Sequence, residues 1–185
     1  VPLALLQGPV VSVTVDYATV TDQLAGIEYQ YQYFRDGVIT HLESTLTGST
    51  IGNGDTIIGG IGNDTLIGGA GQDIISDSSG NELVFGDSAL ITYLAGANLA
   101  MASRHSNEGD DDIITLLDGN NIVIGGSGKD TIRINVEEDP TNLGSYLPTT
   151  FSSTDIVLCD NGQISWNCEQ ALTSVNSTDT SVCGH

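Results

Sequence analysis

Residues 50–85 decide how this chain is read, because they divide into four consecutive nonapeptides: TIGNGDTII (50–58), GGIGNDTLI (59–67), GGAGQDIIS (68–76) and DSSGNELVF (77–85). The same period returns in NEGDDDIIT (107–115), LLDGNNIVI (116–124) and GGSGKDTIR (125–133). Glycine crowds the first half of most copies. Place six carries a side-chain oxygen in every copy: Asp55, Asp64, Asp73, Glu82, Asp112, Asn121 and Asp130. Place eight is aliphatic in every copy: Ile57, Leu66, Ile75, Val84, Ile114, Val123 and Ile132. Strand alternation turns that aliphatic group inward and leaves the oxygen group in the turn.

A repeat of the form GGxGxDxUx winds a parallel β-helix around bound calcium. Its glycines allow positive φ, so that tight turns stack closely enough for their carbonyls to share an ion. On these residues the chain resembles the RTX, or haemolysin-type, calcium-binding repeat family over residues 50–85 and 107–133. The resemblance implies an all-β fold, a right-handed parallel β-roll with interrupting excursions, and Ca2+ as its cofactor. It also implies that each nonapeptide is half a coil, so that turns on one edge lie 18 residues apart. That pairs Asp55 with Asp73, Asp64 with Glu82, and Asp112 with Asp130. Glu82 follows no Gly-Gly pair and is a methylene longer than aspartate, and Asn121 has no carboxylate partner at position 103.

Composition narrows the function classes. Four basic residues face 24 acidic ones in 185, a net charge of −20, which excludes nucleic acid and anionic membrane surfaces as electrostatic partners. Divalent cations are the natural counter-charge. No apolar stretch is long enough to span a bilayer as a helix. The opening VPLALLQGPV lacks a basic n-region and is too short for an intact signal peptide, so it reads as a mature N-terminus or a cut within a longer chain. Calcium turns with affinities of about 10⁻⁴ to 10⁻³ M fill only outside the cell, which makes a secreted protein the expectation.

A longer repeat overlies the short one. FRDGVITHL (34–42), FGDSALITYL (85–94) and LCDNGQISWN (158–167) each turn at an Asp and continue as a strand into a polar excursion. The expected organisation is an N-terminal β cap or assembly segment at 1–33 and a calcium-binding roll at 34–185. The roll includes an exposed loop at 134–153 and a strand with a cysteine-containing excursion at 155–185. Alternation in VVSVTVDY and IEYQYQYF marks two half-buried strands, which serve as a cap, a small sheet, or a strand given to a neighbour. Residues 95–104 (AGANLAMASR) alone suit a short helix.

Other motifs are weaker. Cys159 and Cys168 are spaced for a local disulfide, leaving Cys183 over. Asn63 and Asn176 fit the glycosylation sequon, with Asn176 the more accessible. GDSAL (86–90) has the look of a hydrolase nucleophile, but its aligned counterparts at 36 and 160 lack the serine, so the turn is structural. GGSGKDT (125–131) lacks the spacing of a phosphate loop. The three histidines show no metal-ligand spacing, and none pairs with a credible nucleophile. No enzymatic activity is expected.

The leading functional expectation is a structural or adhesive module of an extracellular filament, sheath or long adhesin, stabilised by Ca2+ at the seven place-six residues. Its partners would be a further copy stacked end to end or the continuation of a longer array, with a cell-surface or carbohydrate ligand for any adhesive face. The alternative is a C-terminal secretion and folding module of an exported hydrolase. Ice binding is disfavoured, because place seven alternates irregularly between Thr and aliphatic residues.

Overall fold

A computed structural model describes residues 19–21, 30–35, 38–44, 54–94, 97–107, 109–150, 152–167 and 169–178. Four place-eight side chains, Ile75, Val84, Ile114 and Val123, are 0 % exposed and line the space between two parallel sheets. The strands carrying them alternate between those sheets. β1 is Thr19–Thr21, β2 Gln30–Arg35, β3 Val38–Ser44, β4 Thr56–Ile58, β5 Thr65–Gly69, β6 Ile74–Asp77, β7 Leu83–Asp87, β8 Ala89–Leu94 and β9 Ala97–Ser103. β10 is Ile113–Leu116, β11 Ile122–Ile124, β12 Thr131–Ile134, β13 Val136–Glu138, β14 Tyr146–Pro148, β15 Ile156–Leu158, β16 Gly162–Trp166 and β17 Leu172–Ser177. Strands β4, β6, β10 and β12 form one parallel ladder, and β5, β7, β11 and β15 the other. The described residues are all-β, without a helix.

Register follows the nonapeptide. Ile57 pairs with Ile75 and Leu66 with Val84, both 18 residues apart. Across the break in the repeat, Ile75 pairs with Ile114 and Val84 with Val123, now 39 residues apart, and Val123 pairs with Val157 after 34. The ladders therefore run through both insertions without losing phase. Each insertion leaves from a turn and returns to that turn, so place six and place eight resume where they stopped.

A third layer covers the second ladder. Three hairpins, β2–β3, β8–β9 and β16–β17, lie side by side in a six-stranded antiparallel sheet of order β17-β16-β9-β8-β3-β2. Its Leu42, Ala89, Ile91, Met101 and Ile164 pack on Ile67, Leu83, Phe85 and Ile124, at places seven and nine of the β5-β7-β11-β15 ladder. On the first ladder the same places face outward, so Ile58 and Ile74 are 48 % and 47 % exposed.

Three sequence expectations change. The helix at 95–104 is instead the strand β9: Ala, Leu and Met favour helices only weakly, and pairing with β8 on one edge and β16 on the other decides the matter. The loop at 134–153 contains the hairpin β13–β14, closed where Thr149 N–H donates to Asn135 O at 2.8 Å and braced by Arg133 over the Tyr146 ring at 4.5 Å. The boundary between 33 and 34 falls inside β2. β1 pairs antiparallel with β4 and so covers the outer edge of the first ladder. Val11, Val13 and Val15 lie outside the described residues, as do Ile27 and Tyr29.

Candidate cation sites

Turns joining the two ladders stack at both ends, and they stack very closely. A Cβ on Gly80 would overlap the Gly62 carbonyl oxygen, and one on Gly119 the Gly80 carbonyl; both glycines also have positive φ, +143° and +95°. Only glycine permits that approach.

Place-six side chains form a column at each end. In the first column Asp55 N–H donates to Asp73 Oδ1 at 2.7 Å, Asp73 N–H to Asp112 Oδ1 at 2.8 Å, and Asp112 N–H to Asp130 Oδ1 at 3.0 Å. One carboxylate oxygen is thereby committed to the backbone of the turn before. The second oxygen faces the bend of its own turn. Asp112 Oδ2 and Asp130 Oδ2 are buried without a hydrogen-bond partner.

The bend has the same form three times. Asp73 Oδ2 and the Gly86 carbonyl oxygen crowd the open side of Gly68; Asp112 Oδ2 and Gly125 O crowd Gly86; Asp130 Oδ2 and Cys159 O crowd Gly125. Each is a cradle of a carboxylate oxygen and the carbonyl of the following turn, around a glycine whose missing Cβ leaves the space open. Among the described residues no three His, Cys, Asp or Glu side chains converge as a ready-made metal cage. The donor set is carbonyl plus carboxylate, which suits a hard cation that takes oxygen ligands in flexible geometry.

The second column is more varied. Glu82 N–H donates to Asn121 Oδ1 at 3.1 Å, and Asn121 N–H to Asp155 Oδ1 at 2.9 Å. Asn121 then turns its Nδ2 onto the carbonyls of Asp118 and Gly119, at 3.1 and 3.4 Å. A proton donor stands there instead of an acceptor. Asp155 is also fully engaged, its Oδ2 accepting from Ser153 Oγ at 2.6 Å and Asn135 Nδ2 at 3.2 Å. Next to this column runs a ladder of exposed asparagines, in which Asn81 N–H donates to Asn63 Oδ1 and Asn120 N–H to Asn81 Oδ1, both at 2.9 Å.

Electrostatics single out the same residues. Burial pushes the Asp112 carboxyl up to about 9; the Asp73 N–H bond opposes this, and the neighbouring Asp87, Asp73 and Asp130 add to it. Burial, then the charges of Asp77 and Asp64, raises Glu82 to about 8. Asp77 and Asp130 rise to about 6, in both cases chiefly through desolvation. Buried carboxylates crowded by like charges are stable as anions only beside a cation.

Asp55–Asp73 and Asp112–Asp130 are rungs 18 residues apart, Asp64 lies beside Glu82 through the pairing of the strands that follow them, and Asn121 joins Glu82 and Asp155 at spacings of 39 and 34. Missing from the sequence reading are the pairs Asp73–Asp112 and Glu82–Asn121, which span an insertion, and Asp155, Asp77 and Asp87. Asp87 is 3 % exposed, accepts the Ser127 N–H, and lies against Gly109 and Gly126. Asp77 and Asp87 replace turn glycines, and that exchange of glycine for carboxylate was the available signal. Cys159 is exposed; Cys168 and Cys183 lie outside the described residues, so the Cys159–Cys168 pairing is not represented. Asn63 sits exposed in its turn, and Asn176 is exposed on β17.

Comparison with protein families agrees with this geometry. The model of the RTX calcium-binding nonapeptide repeat matches in four copies, over residues 51–81, 58–88 and 107–133. Searches of curated proteins and of solved structures gave no match.

Proposed function

We propose, for a chain whose residues 51–133 carry RTX nonapeptide repeats of a kind that bind Ca2+, that the paired ladders form a right-handed parallel β-roll held together by calcium. The observation behind this reading is the threefold recurrence of one cradle, in which a buried carboxylate oxygen meets the carbonyl of the following turn. Asp73, Asp112 and Asp130 supply the carboxylates at one end, with Asp55 in the same column; Asp64 and Glu82 supply them at the other. Asn121 completes its rung with a hydrogen bond in place of an ion. The unfolded chain lacks stacked turns, so ion binding adds directly to folding stability.

The role that suits such a module is mechanical: a secreted structural or adhesive segment of an extracellular filament, sheath or adhesin. Supporting it, the final strands of both ladders, β12 and β15, each have a partner on one side only among the described residues. Val157, at a place-eight position of β15, is 39 % exposed where its counterparts are buried. A further coil or a second copy stacked end to end would cover it. Scanning calorimetry with calcium and with EGTA tests the calcium reading, which fails if the two melts superimpose. Sedimentation and electron microscopy under the same conditions test stacking, which fails if the chain stays monomeric at every calcium level.

A further inference from the structure

At the end of the ladders that holds Asp73, Asp112 and Asp130, the residue opening each following turn, Gly86, Gly125 or Cys159, contributes its backbone carbonyl to the cradle. At the opposite end that opening residue is Asp77, and its side chain takes the same place. Asp77 Oδ2 lies against the open side of Gly59, with Asp64 Oδ2 3.2 Å from the position a Cβ there would occupy. Asp77 is 6 % exposed; its Oδ1 accepts the Ser79 N–H at 2.9 Å, while Oδ2 is buried against Gly59 and Asp64. Glu82, 2 % exposed, is buried with neither side-chain oxygen hydrogen-bonded, and its Oε1 lies against Gly80. Neither turn, 59–64 or 77–82, contains a basic residue.

We propose that Asp64, Asp77 and Glu82 make a three-carboxylate cation site whose composition departs from the carbonyl-lined cradles, and that it is the first site in the chain to fill with calcium. The inference rests on the calcium reading above and adds to it a ligand and an order of filling. Asp64 and Asp77 meet beside Gly59, and Glu82 in the adjoining turn is close enough for the charges of both to act on it, so the three carboxylates repel one another. A divalent ion drawn between them relieves that repulsion and meets the charged Asp77 side chain where the other cradles offer a neutral carbonyl. Ligand charge sets calcium affinity in flexible oxygen sites, and one extra charge at contact distance is worth roughly tenfold or more.

The test is calorimetric titration of calcium-free protein with calcium chloride, comparing wild type, Asp77→Asn, and Asp139→Asn as a charge control on the exposed hairpin. Asp77→Asn keeps the acceptor for Ser79 N–H and removes the charge. It is expected to weaken the tightest binding step by about tenfold or more and leave the other steps within about twofold, while Asp139→Asn changes none. Asp77→Gly, which restores the glycine of the sister turns, must reproduce the loss; it also serves if the asparagine variant fails to fold. An Asp77→Asn titration that superimposes on wild type overturns the proposal, as does one that weakens every step equally. Wild-type protein that takes up no calcium would instead sink the calcium reading itself.

Discussion

Replacing Asp112 by Asn should change stability in opposite directions with and without calcium. The asparagine Oδ1 still accepts the Asp73 N–H, so the 2.8 Å rung between the two coils is kept. Its Nδ2, however, puts a proton donor where Asp112 Oδ2 meets Gly125 O in the cradle, as Asn121 already does in its own turn. With one site lost, mass action gives the cost: at about 10 mM calcium and a dissociation constant of about 10⁻⁴ M, an occupied site contributes about 2.7 kcal/mol. For a chain of this size that is a fall in Tm of roughly 5–10 °C. Without calcium, burial that raises the Asp112 carboxyl to about 9 makes wild type bear the cost of protonating it at neutral pH; the variant is spared that cost, so it should melt a few degrees above wild type. Scanning calorimetry at neutral pH, in calcium and in EGTA, reads both numbers. A variant that loses the same amount in both buffers, or nothing in either, would refute the assignment of Oδ2 to an ion.

Acidity should act on the calcium-free protein in the sense opposite to ordinary acid denaturation. The folded-state values of Asp112 and Glu82, about 9 and 8, and of Asp77 and Asp130, about 6, lie above their unfolded values, so the folded chain binds more protons. The stability they contribute is complete below the unfolded carboxylate range of about 4, declines above it, and is fully lost once pH passes the folded values of about 6 to 9. Calcium-free Tm is therefore expected to climb on acidification over that window, and Tm in calcium to fall as protons displace the ion; a calcium-free Tm that rises with pH contradicts this. Ile75→Ala, at a site with 0 % exposure between the sheets, should cost about 2–5 kcal/mol in urea denaturation, whereas Ile74→Ala, 47 % exposed one residue earlier, should cost under about 1 kcal/mol. Equal costs would mean that the inward and outward faces are misassigned. Gly119→Ala would set a methyl group into the Gly80 carbonyl at positive φ, so it should destabilise by more than about 1 kcal/mol and raise the calcium midpoint; a neutral result refutes the close stacking of these turns.

Much of this arrangement was legible in the nonapeptide itself. Place six and place eight name the two columns and the interior of the paired ladders, because a strand's period of two leaves little choice once one face is apolar. The 18-residue pairs followed from the resemblance. Less legible was what happens where the period breaks. Gly86-Asp87 and Gly109-Asp110-Asp111-Asp112 are two halves of one turn, separated by the hairpin β8–β9, and local spacing does not show that they meet. The third sheet was half visible, since the aligned segments at 34–42, 85–94 and 158–167 mark β3, β8 and β16, one strand of each hairpin. Their partner strands are less plain: β9 reads locally as a short helix and β17 as a polar excursion, because pairing within the sheet, which local propensity does not encode, decides both. Asp77 and Asp87 escaped notice because both stand where the repeat expects glycine.

If the roll is held by calcium, a hard cation bridges stacked turns at the place-six carboxylates. The most direct measurement is an anomalous difference map from crystals grown in calcium, with data collected at long wavelength. Peaks are expected in the cradles, foremost between Asp112 Oδ2 and the Gly125 carbonyl oxygen. Well-ordered density there with no anomalous signal, and the carboxylates hydrogen-bonded to water or to protein alone, would contradict it.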